Sequence, residues 1–166
     1  MRMQDIILTP HFRLKEFTNS ATAMRHGIVN EPSTEAVKEL RKLCIGTLEP
    51  LRVALGQPVI ITSGYRCKAL NDLIAHLSRK SQHMKGQAAD FYIPEVSGNL
   101  SHRERLILAF RTILTNPEVD FDQLILYPNF IHVSFVSCDK NRHSIMTANG
   151  QGTYRAVTRE VALSIQ

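Results

Sequence analysis

A histidine and an aspartate stand seven positions apart in Ser81-Gln82-His83-Met84-Lys85-Gly86-Gln87-Ala88-Ala89-Asp90, and a second histidine follows in Phe130-Ile131-His132-Val133-Ser134. Two imidazoles and one carboxylate suit a borderline-soft cation such as zinc. Three protein ligands leave a fourth position for water, which distinguishes a catalytic zinc site from a closed structural one. Gly86 lets the backbone turn sharply between His83 and Asp90. In an alternating strand His132 shares a face with Phe130 and Ser134, while Ile131, Val133 and Phe135 take the other. A polar face with an imidazole at its centre suits a site lining; the alternative is a histidine that faces solvent. His76, also seven residues from His83, competes as a ligand but falls inside a predicted helix with no glycine turn to bring it round.

The elements that must position these residues read as follows. Residues 1–31 form a mixed entry segment anchored by Phe12, Leu14 and Phe17. A long helix begins near Pro32, with Ser33 or Asn30 as its N-cap and Glu35 in its first turn. Val37, Leu40, Leu43, Cys44, Leu48, Leu51 and Leu55 keep helical spacing, Pro50 predicts a break or kink near Glu49, and Gly56 is a natural stop. Val59-Ile60-Ile61-Thr62 reads as a buried strand, followed by a short helix over 69–77. Ala88-Ala89-Asp90-Phe91-Tyr92-Ile93 is a second strand, which carries Asp90. Ser101 and Glu104 form a capping box that opens a helix ended by Asn116-Pro117. The runs 121–127 and 130–135 make a hairpin around Pro128-Asn129. Beyond Cys138 the pattern says less: Gly150 and Gly152 mark a loop, and a final strand or short helix follows.

Composition excludes several classes. With 166 residues, 43% apolar and 21% charged, the chain is long enough for one domain with a real core and is not extensively disordered. The net charge of +5 is a mild surface bias that favours anionic polymers without choosing among them. No basic block or aromatic–basic interleaving accompanies it, so nucleic acid is not an expected partner. Cys44, Cys67 and Cys138 are odd in number and widely spaced, which argues against a disulfide framework. No run is long enough for a signal peptide or a membrane span, so the expectation is a chain made in the cytoplasm. A substrate outside the cell would then require release by other means.

The motif Ser81-x-His83-x-x-Gly86-x-Ala88-x-Asp90 resembles the signature of zinc D-alanyl-D-alanine carboxypeptidases and their L-alanyl-D-glutamate endopeptidase relatives, whose fold is shared with the hedgehog signalling domain. Ile61-Thr62-Ser63-Gly64-Tyr65-Arg66 resembles the segment that carries the family's substrate-binding arginine. Phe121-Asp122-Gln123-Leu124-Ile125 and Ile131-His132-Val133-Ser134 resemble the phage and mobile-element branch, whose endolysin-like members cut peptidoglycan peptides. The resemblance covers roughly residues 8–145. It implies an α+β fold, a small antiparallel sheet packed against helices, within a single domain over 1–166. It also implies Zn2+ held by His83, Asp90 and His132, Arg66 on substrate carbonyl or carboxylate oxygens, and Ser81 bonding substrate or orienting a ligand.

The chain departs from the family in its acid. Many members carry a glutamate or aspartate three residues before the last zinc histidine, where this chain has Asn129; nearer relatives carry a glutamate at the place of Tyr127 or Pro128. Asp120, Asp122 and Glu95 are candidates by type, with Asp122 put forward as the catalytic carboxylate and a structural or solvent-exposed Asp122 as the alternative. The expected function is a zinc peptidase on peptidoglycan stem peptides, as D,D-carboxypeptidase or endopeptidase. The alternative is a zinc-containing cell-wall binding module without turnover.

Overall fold

The computed structural model describes residues 6–74, 80–96 and 98–166. His76 and the end of the helix expected over 69–77 lie outside the described residues. A short antiparallel pair, β1 (Ile7–Thr9) and β2 (Phe12–Arg13), leads into α1 (Leu14–Thr18) and α2 (Ala21–Arg25). Phe12, Leu14 and Phe17 are buried and tie this entry segment to the core, as their apolar spacing requires.

The long helical stretch opens with α3 (Thr34–Leu43), where the Ser33 hydroxyl accepts the Ala36 N–H at 3.2 Å. Asn30, the other cap candidate, has a different task. Its amide donates to the carbonyls of Thr18 and Tyr65, and its carbonyl oxygen accepts the Cys67 N–H. Pro50 does not break the chain here. The helix widens to a π-turn over Cys44–Leu48 and continues as α4 (Glu49–Leu55). The Gly46 carbonyl, which an α-helix would pair with residue 50, instead accepts the Asp120 N–H at 2.9 Å. An outside donor thus replaces the one proline lacks.

Then come β3 (Ile60–Ser63), α5 (Lys68–Leu73), a 3-10 turn at Gln82–Lys85, β4 (Ala88–Tyr92), α6 (His102–Thr115), β5 (Gln123–Leu126) and β6 (Ile131–Ser134). The Ser101–Glu104 capping box is present, with both reciprocal bonds formed. The C-terminal part adds β7 (Ser144–Ala148), β8 (Tyr154–Ala156) and α7 (Arg159–Ser164). Six strands form one sheet in the order β3-β4-β6-β5-β7-β8, antiparallel except for the parallel β5–β7 pair. The α+β architecture agrees with expectation, while the sheet is larger than expected because the tail extends it. The strand expected to be buried, β3, is instead an edge strand with Ile60 exposed. Its β-branched residues pack on a half-buried pleat rather than inside the core.

One sheet face packs against the helices. Phe91, Leu124, Leu126, Ile131 and Val133 join Leu40, Leu48, Leu51, Leu106 and Phe110 in the core. Period-2 alternation then turns Asp90 and His132 to the opposite face. Among the described residues no helix is long and apolar enough to cross a membrane.

Candidate metal centre

Strand register brings two of the candidate ligands together. Asp90 of β4 pairs directly with His132 of β6, and cross-strand partners on one face lie within side-chain reach. The His132 Nδ1–H donates to Asp90 Oδ1 at 2.8 Å. His83 comes from the 3-10 turn. Its Nε2 lies 3.2 Å from His132 Nδ1 and 3.4 Å from Asp90 Oδ1. Gly86 closes that turn at φ +74, and a Cβ there would stand 2.4 Å from the Ala36 carbonyl oxygen. Only glycine satisfies both the left-handed backbone and the close approach.

The ring of His83 is also oriented from behind. Its Nδ1 lies 2.7 Å from the Gly64 carbonyl oxygen, which can only accept, so Nδ1 carries the proton and Nε2 is left bare toward the site. Gly64 itself is pressed against α1: a Cβ at this position would stand 2.6 Å from the Phe17 backbone. The Tyr65 N–H bonds the Phe17 carbonyl, and Asn30 ties residues 65 and 67 to Thr18 through two bonds to the former pair and one to the latter. The entry segment therefore fixes the loop that carries both Gly64 and Arg66.

Arg66 is nearly buried. Its Nη2 donates to Asp90 Oδ2 at 3.1 Å, and its Nε donates to the Ser63 hydroxyl at 3.0 Å. Asp90 is thus shared, one oxygen facing the histidines and the other the guanidinium. Burial works against its charge, but His83 and His132 outweigh it and hold the carboxyl well below the usual carboxylate range. Burial also lowers the His83 pKa against the pull of Asp90, which favours the neutral imidazole that a metal requires.

These residues fit a metal. The three donor atoms all lie within 4.8 Å of one another. A tetrahedral zinc with bonds of about 2.0–2.1 Å places its ligands about 3.3 Å apart. The two separations that involve His83 match that edge; the shorter one is a hydrogen bond whose proton a cation would replace. The site thus offers a buried carboxylate held in its charged form and, at His83, an oriented imidazole whose neutral form is favoured.

The ligands open into a cleft of about 1070 Å3 lined also by Arg66, Ser81, Gln123, Tyr127, Phe130 and Tyr154. Ser81 makes no capping hydrogen bond from its side chain. The Tyr127 ring stacks on Phe130 with centroids 4.2 Å apart, and the hydroxyls of Tyr127 and Tyr154 are 3.0 Å apart. Burial, then the Tyr154 hydroxyl, pushes the Tyr127 pKa up, so its phenol stays neutral.

The structure separates Asp122 from this cleft. Its carboxylate accepts from Arg142 at Nε (2.9 Å), Nη2 (2.6 Å) and the backbone N–H (3.0 Å), from Gln82 Nε2 at 2.9 Å, and from the Ser134 hydroxyl at 3.3 Å. Asp122 precedes β5, so the alternation that would have placed it beside Leu124 and Leu126 does not reach it. Burial opposes its charge, but the Arg142 bonds hold the carboxyl well below the usual range. Asp120 is taken up by His143 and Asn141, and Glu95 is exposed beyond β4. Asn129 is exposed, and its carbonyl accepts from His102. Among the described residues that line the cleft, Asp90 is the only carboxylate.

Tyr127 and Tyr154 did not emerge from the sequence as site residues. Strand alternation could have found Tyr127, since residues 123, 125 and 127 share the face opposite Leu124 and Leu126. Tyr154 comes from the tail, which carried no motif.

No curated protein matches the chain. The peptidase M15 family model matches residues 10–134, a span that includes Arg66, Ser81, His83, Asp90 and His132. The chain belongs to the M15 peptidases, the zinc D-alanyl-D-alanine carboxypeptidase family.

Proposed function

We propose that the protein is a zinc-dependent peptidase that cuts peptidoglycan stem peptides, as a D,D-carboxypeptidase or endopeptidase of endolysin-like, phage-borne type. The observation that carries this reading is the convergence of His83 Nε2, His132 Nδ1 and Asp90 Oδ1 at the floor of an open cleft. Zinc bound there supplies a Lewis acid and an acidified water. His83, Asp90 and His132 would hold it, with Gly64 and Arg66 keeping His83 and Asp90 in place. Arg66, on the cleft wall, offers a forked donor to a substrate carbonyl or terminal carboxylate. Ser81 supplies a hydroxyl that its turn does not consume. Tyr154, which accepts from the Tyr127 hydroxyl, keeps its own hydroxyl proton to offer in the same cleft. With five donors on its oxygens, Asp122 serves to fix Gln82, next to His83, rather than to take a proton.

One observation favours a second reading. The place where nearer relatives carry a glutamate falls here at Tyr127 or Pro128, and neither takes a proton from water: burial keeps the Tyr127 phenol neutral and proline has no such group. A zinc-containing wall-binding module would keep the cation and the wall affinity without turnover.

Digestion of purified peptidoglycan distinguishes the two. Zinc-loaded protein should release stem peptides, read by mass, whereas chelated protein and His83→Ala should not. Wall binding without release, from protein that holds zinc, would leave the binding module standing.

A further inference from the structure

A second groove, of about 550 Å3, lies beside the metal cleft and shares Ser81, Gln123 and His132 with it. Its size falls within the range of about 300–1,000 Å3 typical of small-ligand clefts. Its walls carry Lys80, Lys85, Lys140 and Arg142. The one carboxylate among its described lining residues is Asp122, which is 1% exposed and already saturated by Arg142, Gln82 and Ser134. Lys85 and Lys140 are exposed, and neither makes an ion pair with a described residue. On their outer side the two lysines border Glu35, Glu39 and Asp139: Glu39 accepts from Lys42 and Gln87, and Asp139 accepts from the Ser137 hydroxyl and is also stabilised by Lys140. The groove is therefore cationic on balance and opens onto a metal ligand.

We propose that this groove is a carboxylate subsite, in which Lys85 and Lys140 bind a free carboxylate on the peptide whose adjoining bond lies at the metal centre. The inference rests on the peptidase reading: because the groove and the cleft share His132, a peptide held at the centre can extend into the groove. A stem peptide fits that demand through its side-chain or α-carboxylates. Lysine ammoniums suit it as compact point charges that reach an anion from either wall. The subsite would make the protein select peptides by whether that carboxylate is free or amidated.

The test uses the full zinc-loaded chain and paired stem peptides, alike except for a free carboxylate or its primary amide beside the scissile position. An uncleavable link replaces the scissile amide, and binding is measured by calorimetry. The native protein should prefer the free carboxylate by roughly three- to tenfold at low salt, the scale of one or two exposed ion pairs. The double variant Lys85→Glu/Lys140→Glu should lose that preference while binding the amidated peptide as before. Equal affinities in the native protein, a preference that survives the reversal, or equal weakening of both peptides would each overturn the subsite. Turnover of cleavable peptides is followed in parallel. Turnover without the preference removes the subsite alone, and the preference without turnover removes the peptidase reading alone.

Discussion

Replacing Asp90 by asparagine tests the centre from two sides. Its carboxylate bonds buried Arg66 at 3.1 Å and His132 at 2.8 Å, with His83 at 3.4 Å. Removing one partner of a buried ion pair costs about 3–5 kcal/mol. The asparagine oxygen can still accept one bond, so the lower end applies, about 3 kcal/mol. For a domain of 166 residues, at about 2–4 °C per kcal/mol, Tm in chelator falls by about 6–12 °C. The second effect concerns the metal. A cation present at about 1,000 times its Kd stabilises the native protein by about 4 kcal/mol, which raises its Tm by about 8–16 °C. Asp90→Asn should lose most of that gain because a carboxylate ligand is gone. Asp122→Asn supplies the control: it removes a buried carboxylate from an arginine, yet should keep the full zinc-induced rise. Thermal unfolding by circular dichroism, with chelator and with zinc, reads all four quantities. A zinc response in Asp90→Asn equal to that of the native protein would refute the ligand assignment.

Other consequences follow from single positions. Gly86→Ala forces a Cβ against the Ala36 carbonyl in a left-handed residue. It should cost at least about 2 kcal/mol and lower Tm by about 4 °C or more, and an unchanged Tm would contradict the geometry. Tyr127→Glu adds a carboxylate where, among the described lining residues, Asp90 is the only one, and should raise stem-peptide release by about 100-fold, the lower range of general-base effects; no gain would mean that a base does not act from this position. The Asp122 carboxyl is depressed in the folded state, so the unfolded chain binds more protons and stability rises with pH through this range. Its contribution is present above the ordinary carboxylate pKa and is lost as pH falls toward the folded value. Acid unfolding of Asp122→Asn should accordingly show a flatter limb below about pH 4, and a limb as steep as that of the native protein would count against it.

Much of this was legible in the residues. His83 and Asp90 flank a glycine, and that glycine proves indispensable because two constraints meet at one Cα. His132 declared its face through strand alternation, which is a local property. The Ser101–Glu104 box and Gly56 marked helix ends by side-chain and backbone chemistry that depends on few neighbours. What the sequence concealed depends on distant partners. Pro50 carries a helix-breaking signal, yet the Asp120 N–H, remote in sequence, satisfies the carbonyl that proline leaves free. Asn30 resembles a cap but bridges three backbone groups of two other segments. The run 59–62 looked buried because β-branched composition cannot distinguish an edge strand from a central one. The role of Asp122 turned on Arg142, twenty residues later, and that of Tyr154 on a strand added beyond the family match.

The most direct measurement is the zinc K-edge X-ray absorption spectrum of the purified protein, with metal content determined alongside. The arrangement of His83, Asp90 and His132 predicts one zinc per chain in a four-coordinate shell of nitrogen and oxygen only, near 2.0–2.1 Å, with two imidazole signatures. The His132→Ala variant should show one imidazole or no metal. A native protein that binds no zinc, or zinc held through the sulfur of Cys44, Cys67 or Cys138 at about 2.3 Å, would contradict the account.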